Sequence, residues 1–269
     1  MSNLSYMQKA TDRGQLQIHV TTERGFFPIK DASIRLSYTG NPTEIIEELS
    51  TDISGQTAAV ELPAPPLEYS MEPSEFQPYS EYTIQVNASG YRPINISGIS
   101  VLPDKTSIQN VRMETATVEN PLERNIVITA NTLYGNFPPK IPEDEIKPMT
   151  ESGEIVLSRV VIPEYVIVHD GPPSDSSAND YYVRYRDYIK NVASSEIYAT
   201  WPDAALRANI LAIMSFTLNR VYTEWYRNKG YDFTITSSTA FDHKFVYGRN
   251  IFSNISNKNC LSTRDGSFP

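Results

Sequence analysis

The residue with the clearest potential for chemistry is Glu196, in the segment SEIYATWP at residues 195–202. Ile197, Tyr198 and Trp201 offer its carboxyl group apolar surroundings, which favour the neutral acid and raise its pKa. A neutral carboxyl group can donate a proton to a leaving group. The alternative is a helix-end carboxylate exposed to water, the usual location of a glutamate, and residue types alone favour it.

Four aromatic residues around and after Glu196 have faces that can stack on sugar rings. They are Tyr198, Trp201, Tyr231 and Tyr247. If Glu196 acts on a glycan, we expect these four side chains to contact the substrate.

Two other groups of polar residues invite a functional interpretation. The acidic run at residues 143–145 suggests a metal site, but adjacent carboxylates in an extended segment do not converge on one ion, so a solvated linker is favoured. His169 and Asp170 suggest a catalytic pair, but the Gly-Pro-Pro that follows favours a hydrogen-bonded turn.

Two helices are predicted to position Glu196. The first begins near Asp180 and carries an apolar stripe at three- and four-residue spacing: Tyr182, Tyr185, Tyr188, Ile189 and Val192. The second has Thr200 as its N-cap and Pro202 in its first turn, and its apolar face extends to Trp225 before Gly230. We expect Glu196 at the junction of these helices, with a strand-like segment at residues 231–236.

Upstream, short alternating apolar segments are separated by turn signals about every ten residues, as in an antiparallel β-sandwich. They include LQIHV at 16–20, SIRLSY at 33–38, YTIQV at 82–86 and IQNVRM at 108–113. The order of these segments resembles the transthyretin-like, carboxypeptidase-regulatory type of sandwich. Such sandwiches are usually accessory, so a spacer or pro-region role is favoured over glycan or protein contact.

The sequence therefore predicts an α+β protein with five parts. A flexible N-terminus at 1–13 precedes the β-sandwich at 14–114, a Pro-rich linker at 115–164, a mixed α/β core with a long central helix at 165–255, and an irregular tail at 256–269. We expect any activity of the core to survive deletion of the residues before Thr115.

Composition excludes several classes of function. The net charge of −9 over 269 residues, without clustered Lys and Arg, argues against nucleic acid. Cys260 is the single cysteine, so neither an intramolecular disulfide nor a Cys-based zinc site is available. No apolar run is long enough to span a bilayer, and we expect no N-terminal signal peptide.

Residues 188–202 are YIKNVASSEIYATWP, followed by AALRAN at 204–209. This segment resembles the stage II sporulation protein D family, whose core pattern is YΦxxVΦxxEΦxxxWPxEAΦKAQ, with Φ an apolar residue. The continuation of that pattern is matched by GYDFT at 230–234 and by Tyr247-Gly248. The whole chain is also similar to spore cortex-lytic enzymes of the SleC type.

The resemblance implies a peptidoglycan lytic transglycosylase that cleaves between N-acetylmuramic acid and N-acetylglucosamine. Glu196 occupies the position of the family's catalytic glutamate and would serve as the single acid/base, producing a 1,6-anhydro end without an activated water. The implied partners are glycan strands and a processing protease, and the implied location is the spore cortex or coat region, or the cell wall. The alternative is a non-catalytic peptidoglycan-binding or spore-structural protein.

Two departures from the family pattern qualify these expectations. Family members often hold zinc with Cys and His residues after the GYDV strand, whereas residues 236–247 contain Asp242 and His243 but no Cys. We therefore expect no metal ion and no cofactor. Relatives of the SleC type continue past the segment YGRN at 247–250 into a second half, so we expect an incomplete catalytic domain. Two alternatives follow for this chain: an active enzyme, or a truncated form that is inactive.

Overall fold

A computed structural model describes residues 12–23, 25, 27–117, 122–142 and 161–261, without the side chains of 258–261. The fold is α+β, as predicted, and the chain forms two compact units. The first comprises residues up to Ala130 together with Tyr198–Trp201 and Tyr247–Asn257; the second comprises Asn131–Ile197 and Pro202–Val246.

The first unit is built from two sheets. One has the order β12-β7-β1-β4 and the other β3-β2-β5-β6-β8. Pairs β1–β7 and β6–β8 are parallel, and the remaining pairs are antiparallel. The elements are β1 (Asp12–Thr22), β2 (Ser33–Tyr38), β3 (Asn41–Ser50), β4 (Val60–Ala64), α1 (Glu68–Met71), β5 (Ser80–Asn87), β6 (Ile94–Val101), β7 (Thr106–Met113), β8 (Arg124–Val127), β12 (Ile251–Phe252) and α4 (Ser253–Leu261).

Apolar residues at every second position of the strands form the core of this unit. Leu16, Ile18 and Val20 of β1 are fully buried, while the residues between them are more exposed. Strands β5 and β6 bury a corresponding row that includes Tyr82 and Ile84. The period of two therefore places one face of β1 and of β5 in the core, as the sequence predicts.

Three segments of the first unit differ from the predictions. Strand β1 starts at Asp12, inside the N-terminal segment predicted to be flexible, because it pairs with β4 from that residue onward. Strand β8 forms inside the predicted linker, since its four residues pair with β6. The tail after 255 is helical as far as Leu261 rather than irregular.

Segments distant in sequence complete the first unit. Strand β12 pairs with β7, placing Ile251 opposite Ile108. Asn250 precedes β12, and its side chain bonds to the backbone N–H and carbonyl oxygen of Ser100, in β6 of the other sheet. The indole N–H of Trp201 donates to the carbonyl oxygen of Ser70 at 2.9 Å. The sandwich thus includes residues from the segment predicted to be a separate catalytic core.

The second unit has a three-stranded sheet of order β10-β9-β11, with a helix packed against it. Its elements are β9 (Tyr165–His169), β10 (Asp180–Arg184), α2 (Tyr185–Glu196), α3 (Asp203–Tyr222), a 3-10 helix (Arg227–Lys229) and β11 (Ile235–Thr236). Helix α2 buries one face that includes Tyr185, Tyr188, Ile189 and Val192. Helix α3 packs against α2 and buries a face that includes Leu206, Ile210 and Met214.

The helix boundaries predicted from sequence are wrong at three ends. Residues Asp180–Arg184 form a strand because they pair with β9, so α2 starts at Tyr185. Pro202 rather than Thr200 is the N-cap of α3, and Thr200 makes no side-chain cap. Helix α3 ends at Tyr222 rather than Trp225, since Glu224 adopts a left-handed backbone conformation (φ 47°).

The acidic run at 143–145 and most of the predicted N-terminal segment lie outside the described residues. Among the helices that the structure describes, none has both the length and the apolar character needed to cross a membrane.

Candidate active site around Glu196

Glu196 is the last residue of α2, and that helix end is held on two sides. Within the helix, the N–H of Ile197 donates to the carbonyl oxygen of Ala193 at 3.1 Å. From outside, the N–H of Thr132 donates to the carbonyl oxygen of Ser195 at 3.0 Å. The carboxyl group therefore projects from a backbone that is fixed in place.

The carboxyl group of Glu196 is half-buried, and its environment changes its acidity. Burial raises its pKa to about 6 because the charged form loses hydration. Two weaker effects oppose the rise: a hydrogen bond from the backbone N–H of Lys244 to Oε1 at 2.6 Å, and the positive charge of Lys140. Glu196 is thus partly protonated near pH 6, as an acid/base requires.

The segment from His243 to Val246 lies against α2 and supplies the donor to Glu196. The side-chain amide of Asn191 bonds to both backbone polar groups of Val246, at 2.8 and 3.0 Å. The hydroxyl oxygen of Tyr188 lies 3.3 Å from Nδ1 of His243. Sequence reasoning missed Lys244 because its contribution is a backbone N–H, which residue type does not reveal.

His243 is buried beneath the ring of Phe216, with ring centroids 4.6 Å apart. Burial lowers its pKa to about 4, against the raising effect of the nearby Asp242 carboxylate. His243 is therefore neutral at the pH where Glu196 titrates, and it adds no charge beside α2.

Asp242 is a structural carboxylate at the centre of the second unit. Its Oδ1 pairs with Nε of Arg220 at 2.8 Å, and its Oδ2 accepts from the hydroxyl of Tyr226 at 2.6 Å. The backbone N–H and the hydroxyl of Thr236 also donate to Oδ2, at 2.9 and 2.7 Å. Asp242 therefore holds the turn before Lys244 in place.

The zinc site of the resembled family does not fit these residues. Asp242 is occupied by Arg220, Tyr226 and Thr236, and His243 faces Tyr188. Across the described ranges, no three His, Cys, Asp or Glu side chains group closely enough to hold a metal ion.

The four aromatic residues predicted to bind sugar occupy separate environments. In the first unit, Tyr198 and Trp201 meet edge to face, with centroids 6.1 Å apart. Tyr247, in the same unit, accepts a hydrogen bond from Arg124 at 2.8 Å. In the second unit, Tyr231 packs on Phe233, with centroids 5.0 Å apart. Their role in binding sugar stays a prediction.

The neighbouring residues His169 and Asp170 bond to different partners. Nδ1 of His169 lies 2.8 Å from the Asp180 carboxylate, and its ring stacks on Phe233 at 4.4 Å. Asp170 accepts from the hydroxyl of Ser237 at 2.9 Å. The N–H of Gly171 donates to the His169 carbonyl oxygen at 2.9 Å, as a hydrogen-bonded turn requires.

A cavity of about 150 Å³ opens in the second unit. Glu196 is not among the described residues that line it, so the cavity does not define the site around Glu196. The lining includes Tyr165, Arg220, Glu224, Trp225, Arg227 and Phe233.

Several solved structures show local similarity at low identity. The Bacillus anthracis TIE protein matches at 17% identity over 39% of this chain and 17% of that chain, with a TM-score of 0.27. GBS52, the minor pilin of Streptococcus agalactiae, matches at 13% identity over 40% of this chain and 46% of that chain, with a TM-score of 0.28. Klebsiella pneumoniae 5-hydroxyisourate hydrolase matches at 16% identity over 38% of this chain and 86% of that chain, with a TM-score of 0.24.

The chain thus spans less than two thirds of the first two of these structures, and similarities this weak carry no argument about function. A comparison with curated proteins found no match.

Among protein families, residues 178–259 match the model described as Stage II sporulation protein, SpoIID. This region includes α2, Glu196, α3 and the Lys244 segment. The chain therefore carries a SpoIID-type domain over residues 178–259.

Proposed function

We propose that this protein is a peptidoglycan lytic transglycosylase of the spore cortex-lytic, SleC type, with Glu196 as its single acid/base. The observation that carries the proposal is the state of the Glu196 carboxyl group. It stands at the motif position, is half-buried, and has a pKa raised to about 6. An ordinary exposed glutamate would be almost fully ionised at that pH.

The reaction needs one group that first gives and then takes a proton. Protonated Glu196 donates to the oxygen that links C1 of N-acetylmuramic acid to the next sugar, and the C1–O bond breaks. The resulting carboxylate accepts the proton of the 6-hydroxyl group as O6 bonds to C1, which gives a 1,6-anhydro end. Glu196 is protonated again at the end of the reaction, and no second carboxylate is needed.

The hydrogen bond from Lys244 distinguishes the two carboxyl oxygens of Glu196 and so supports a role as acid and then base. The N–H is fixed on Oε1, so the transferred proton is carried on Oε2. One oriented donor also stabilises the carboxylate formed in the first half of the reaction, without lowering the pKa to that of a solvent-exposed acid.

The proposed location is the spore cortex or coat region, or the cell wall, and the proposed substrate is the peptidoglycan strand. A processing protease is a further proposed partner. The match of residues 178–259 to the SpoIID family supports a cell-wall role at this coarser level.

The test is incubation of the protein with purified cortex sacculi, followed by mass analysis of the soluble products. We expect the wild type to release anhydro-muropeptides and Glu196→Gln to release about a hundredfold less or none. Glu61→Gln, at an exposed position of β4, is the matched control and should behave as wild type. Equal yields from the wild type and Glu196→Gln would contradict the acid/base role. Full sacculus binding without product would support the non-catalytic binding alternative instead.

A further inference from the structure

Asn191 is an almost fully buried amide on α2, with 7% of its surface exposed. Its Nδ2 donates to the carbonyl oxygen of Val246 at 2.8 Å, and its Oδ1 accepts from the N–H of Val246 at 3.0 Å. One side chain thus satisfies both backbone polar groups of one residue, as a neighbouring β-strand would. Val246 is therefore fixed to the helix at two points.

Each residue from 243 to 246 is attached to α2. His243 meets the hydroxyl of Tyr188, and the ring of Phe245 stacks on the ring of Tyr188 with centroids 5.9 Å apart. Lys244 donates its backbone N–H to Glu196 at 2.6 Å. Asn191 holds the end of the segment at Val246, two residues after the donor.

Asn191 and Glu196 lie five residues apart on one helix. The contacts therefore form a closed ring that runs from α2 through Asn191 to Val246, back along the chain to Lys244, and from Lys244 to Glu196. Because a helix is rigid over five residues, the position of the N–H relative to the carboxyl group is set by the Asn191 bonds.

We propose that Asn191 is a positioning residue for Glu196: it fixes the segment whose backbone N–H at Lys244 holds Oε1 of the acid/base. The inference rests on the proposed function of Glu196. It assigns Asn191 no contact with the substrate, and it explains why an amide rather than an apolar side chain stands at this buried position.

The charged and titratable groups that act on Glu196 determine whether its pKa should rise or fall when Asn191 is replaced. The Lys244 hydrogen bond and the Lys140 charge both lower the Glu196 pKa, whereas burial raises it. Tyr188, also on α2, has its own pKa raised by burial and by the Asp242 and Glu196 charges, so it stays neutral. Releasing the Lys244 donor while Lys140 stays in place should therefore raise the pKa of Glu196 above about 6.

The experiment uses Asn191→Ala and, in case that variant folds poorly, Asn191→Ser, whose shorter hydroxyl cannot reach both backbone atoms. The carboxyl carbons are observed by NMR in protein labelled with ¹³C-glutamate, and the Glu196 signal is assigned by its loss in Glu196→Gln. We expect an upward shift of about one unit in the pKa of Glu196, the size of effect that one hydrogen bond to a carboxylate has.

With sacculi as substrate, we expect kcat to fall about tenfold to a hundredfold with little change in KM, because the acid is misplaced while the glycan contacts remain. The alkaline limb of the kcat profile should move upward with the pKa of Glu196, which a loss of folded protein alone would not cause.

Asn250→Ala is the matched control, since Asn250 is also buried and its amide bonds to the N–H and carbonyl oxygen of Ser100, at 3.2 and 3.0 Å. It should lose comparable stability and leave the Glu196 titration unchanged. A Glu196 pKa that stays the same or falls in both Asn191 variants would overturn the positioning role. The titration needs no turnover, so an inactive wild type would count against the proposed function alone, and the Glu196 pKa would still decide whether Asn191 positions the carboxyl group.

Discussion

The backbone N–H of Lys244 lies 2.6 Å from Oε1 of Glu196, yet the pKa of this carboxyl group is raised to about 6 rather than lowered. Burial therefore outweighs both the hydrogen bond and the charge of Lys140. The site keeps a proton available on the acid and fixes where its charge will develop, two properties that are hard to combine in an exposed carboxylate.

Glu196→Gln is predicted to stabilise the protein at neutral pH. In the unfolded chain the carboxyl group ionises near pH 4.5, whereas in the folded protein it ionises at about 6. The folded state thus holds the extra proton, and stability is lost as the pH rises through this window, by about 2 kcal/mol in total. Urea unfolding should find the variant more stable at pH 7.5 and equal to wild type near pH 4; a difference independent of pH would contradict the assignment.

Asp242→Asn is predicted to destabilise the protein by about 3–5 kcal/mol, because it removes one charge of the buried ion pair between Asp242 and Arg220. Chemical denaturation measures the loss. Glu61→Gln serves as the control, since it removes an ion pair with Arg13 in which both side chains are more than half exposed. It should cost less than about 1 kcal/mol. Similar losses for the two variants would show that the Asp242 network contributes little.

Deletion of residues 12–114 is predicted to leave no stably folded protein, contrary to the expectation from sequence that the core is independent. Strand β12 would lose its partner β7, and the Trp201 indole would lose the Ser70 carbonyl oxygen. Trp201→Phe in the full chain isolates the second contact and should cost about 1 kcal/mol. A truncated chain with a cooperative unfolding transition and a dispersed NMR spectrum would contradict this prediction.

Gly248→Ala is predicted to cost more stability than Gly90→Ala, although the two glycines have nearly the same backbone, with φ of 81° and 83°. The left-handed conformation alone costs about 1–2 kcal/mol for alanine, and this applies to both. At Gly248 the new Cβ would also lie 2.8 Å from Cγ2 of Ile126, whereas at Gly90 no atom lies within 4 Å. We expect at least about 1 kcal/mol more at Gly248 from this overlap, measured by thermal unfolding. Equal losses of stability in the two variants would mean that the Ile126 side chain shifts to accommodate the new Cβ without cost.

The elements that follow from local pattern were predictable from sequence. Strands β1, β2, β5 and β7 carry apolar residues at a period of two, and α3 carries them at helical spacing. Glu196 at a helix end was predicted for the same reason, because the pattern of α2 stops there.

The elements that depend on a distant partner were not predictable. Tyr182 and Tyr185 have the spacing of a helix, but pairing with β9 makes the first of them part of a strand. Strand β3 lacks clear alternation and forms because β2 pairs with it. Within the site, the donor at Lys244 and the partner of Asn191 are backbone groups brought close by tertiary structure, so no residue type signals them.

The pairing of β12 with β7 also has a consequence for synthesis of the protein. A ribosome makes β7 long before it makes Ile251, so during that interval β7 is the outer strand of its sheet, with free backbone donors and acceptors. The carbonyl oxygen of Ser100 and the hydroxyl of Ser107 likewise lack their hydrogen-bond partner until Asn250 has been synthesised. The sandwich therefore cannot complete its hydrogen bonding in the order of translation, because one strand edge stays unpaired until residues 250–252 have emerged from the ribosome.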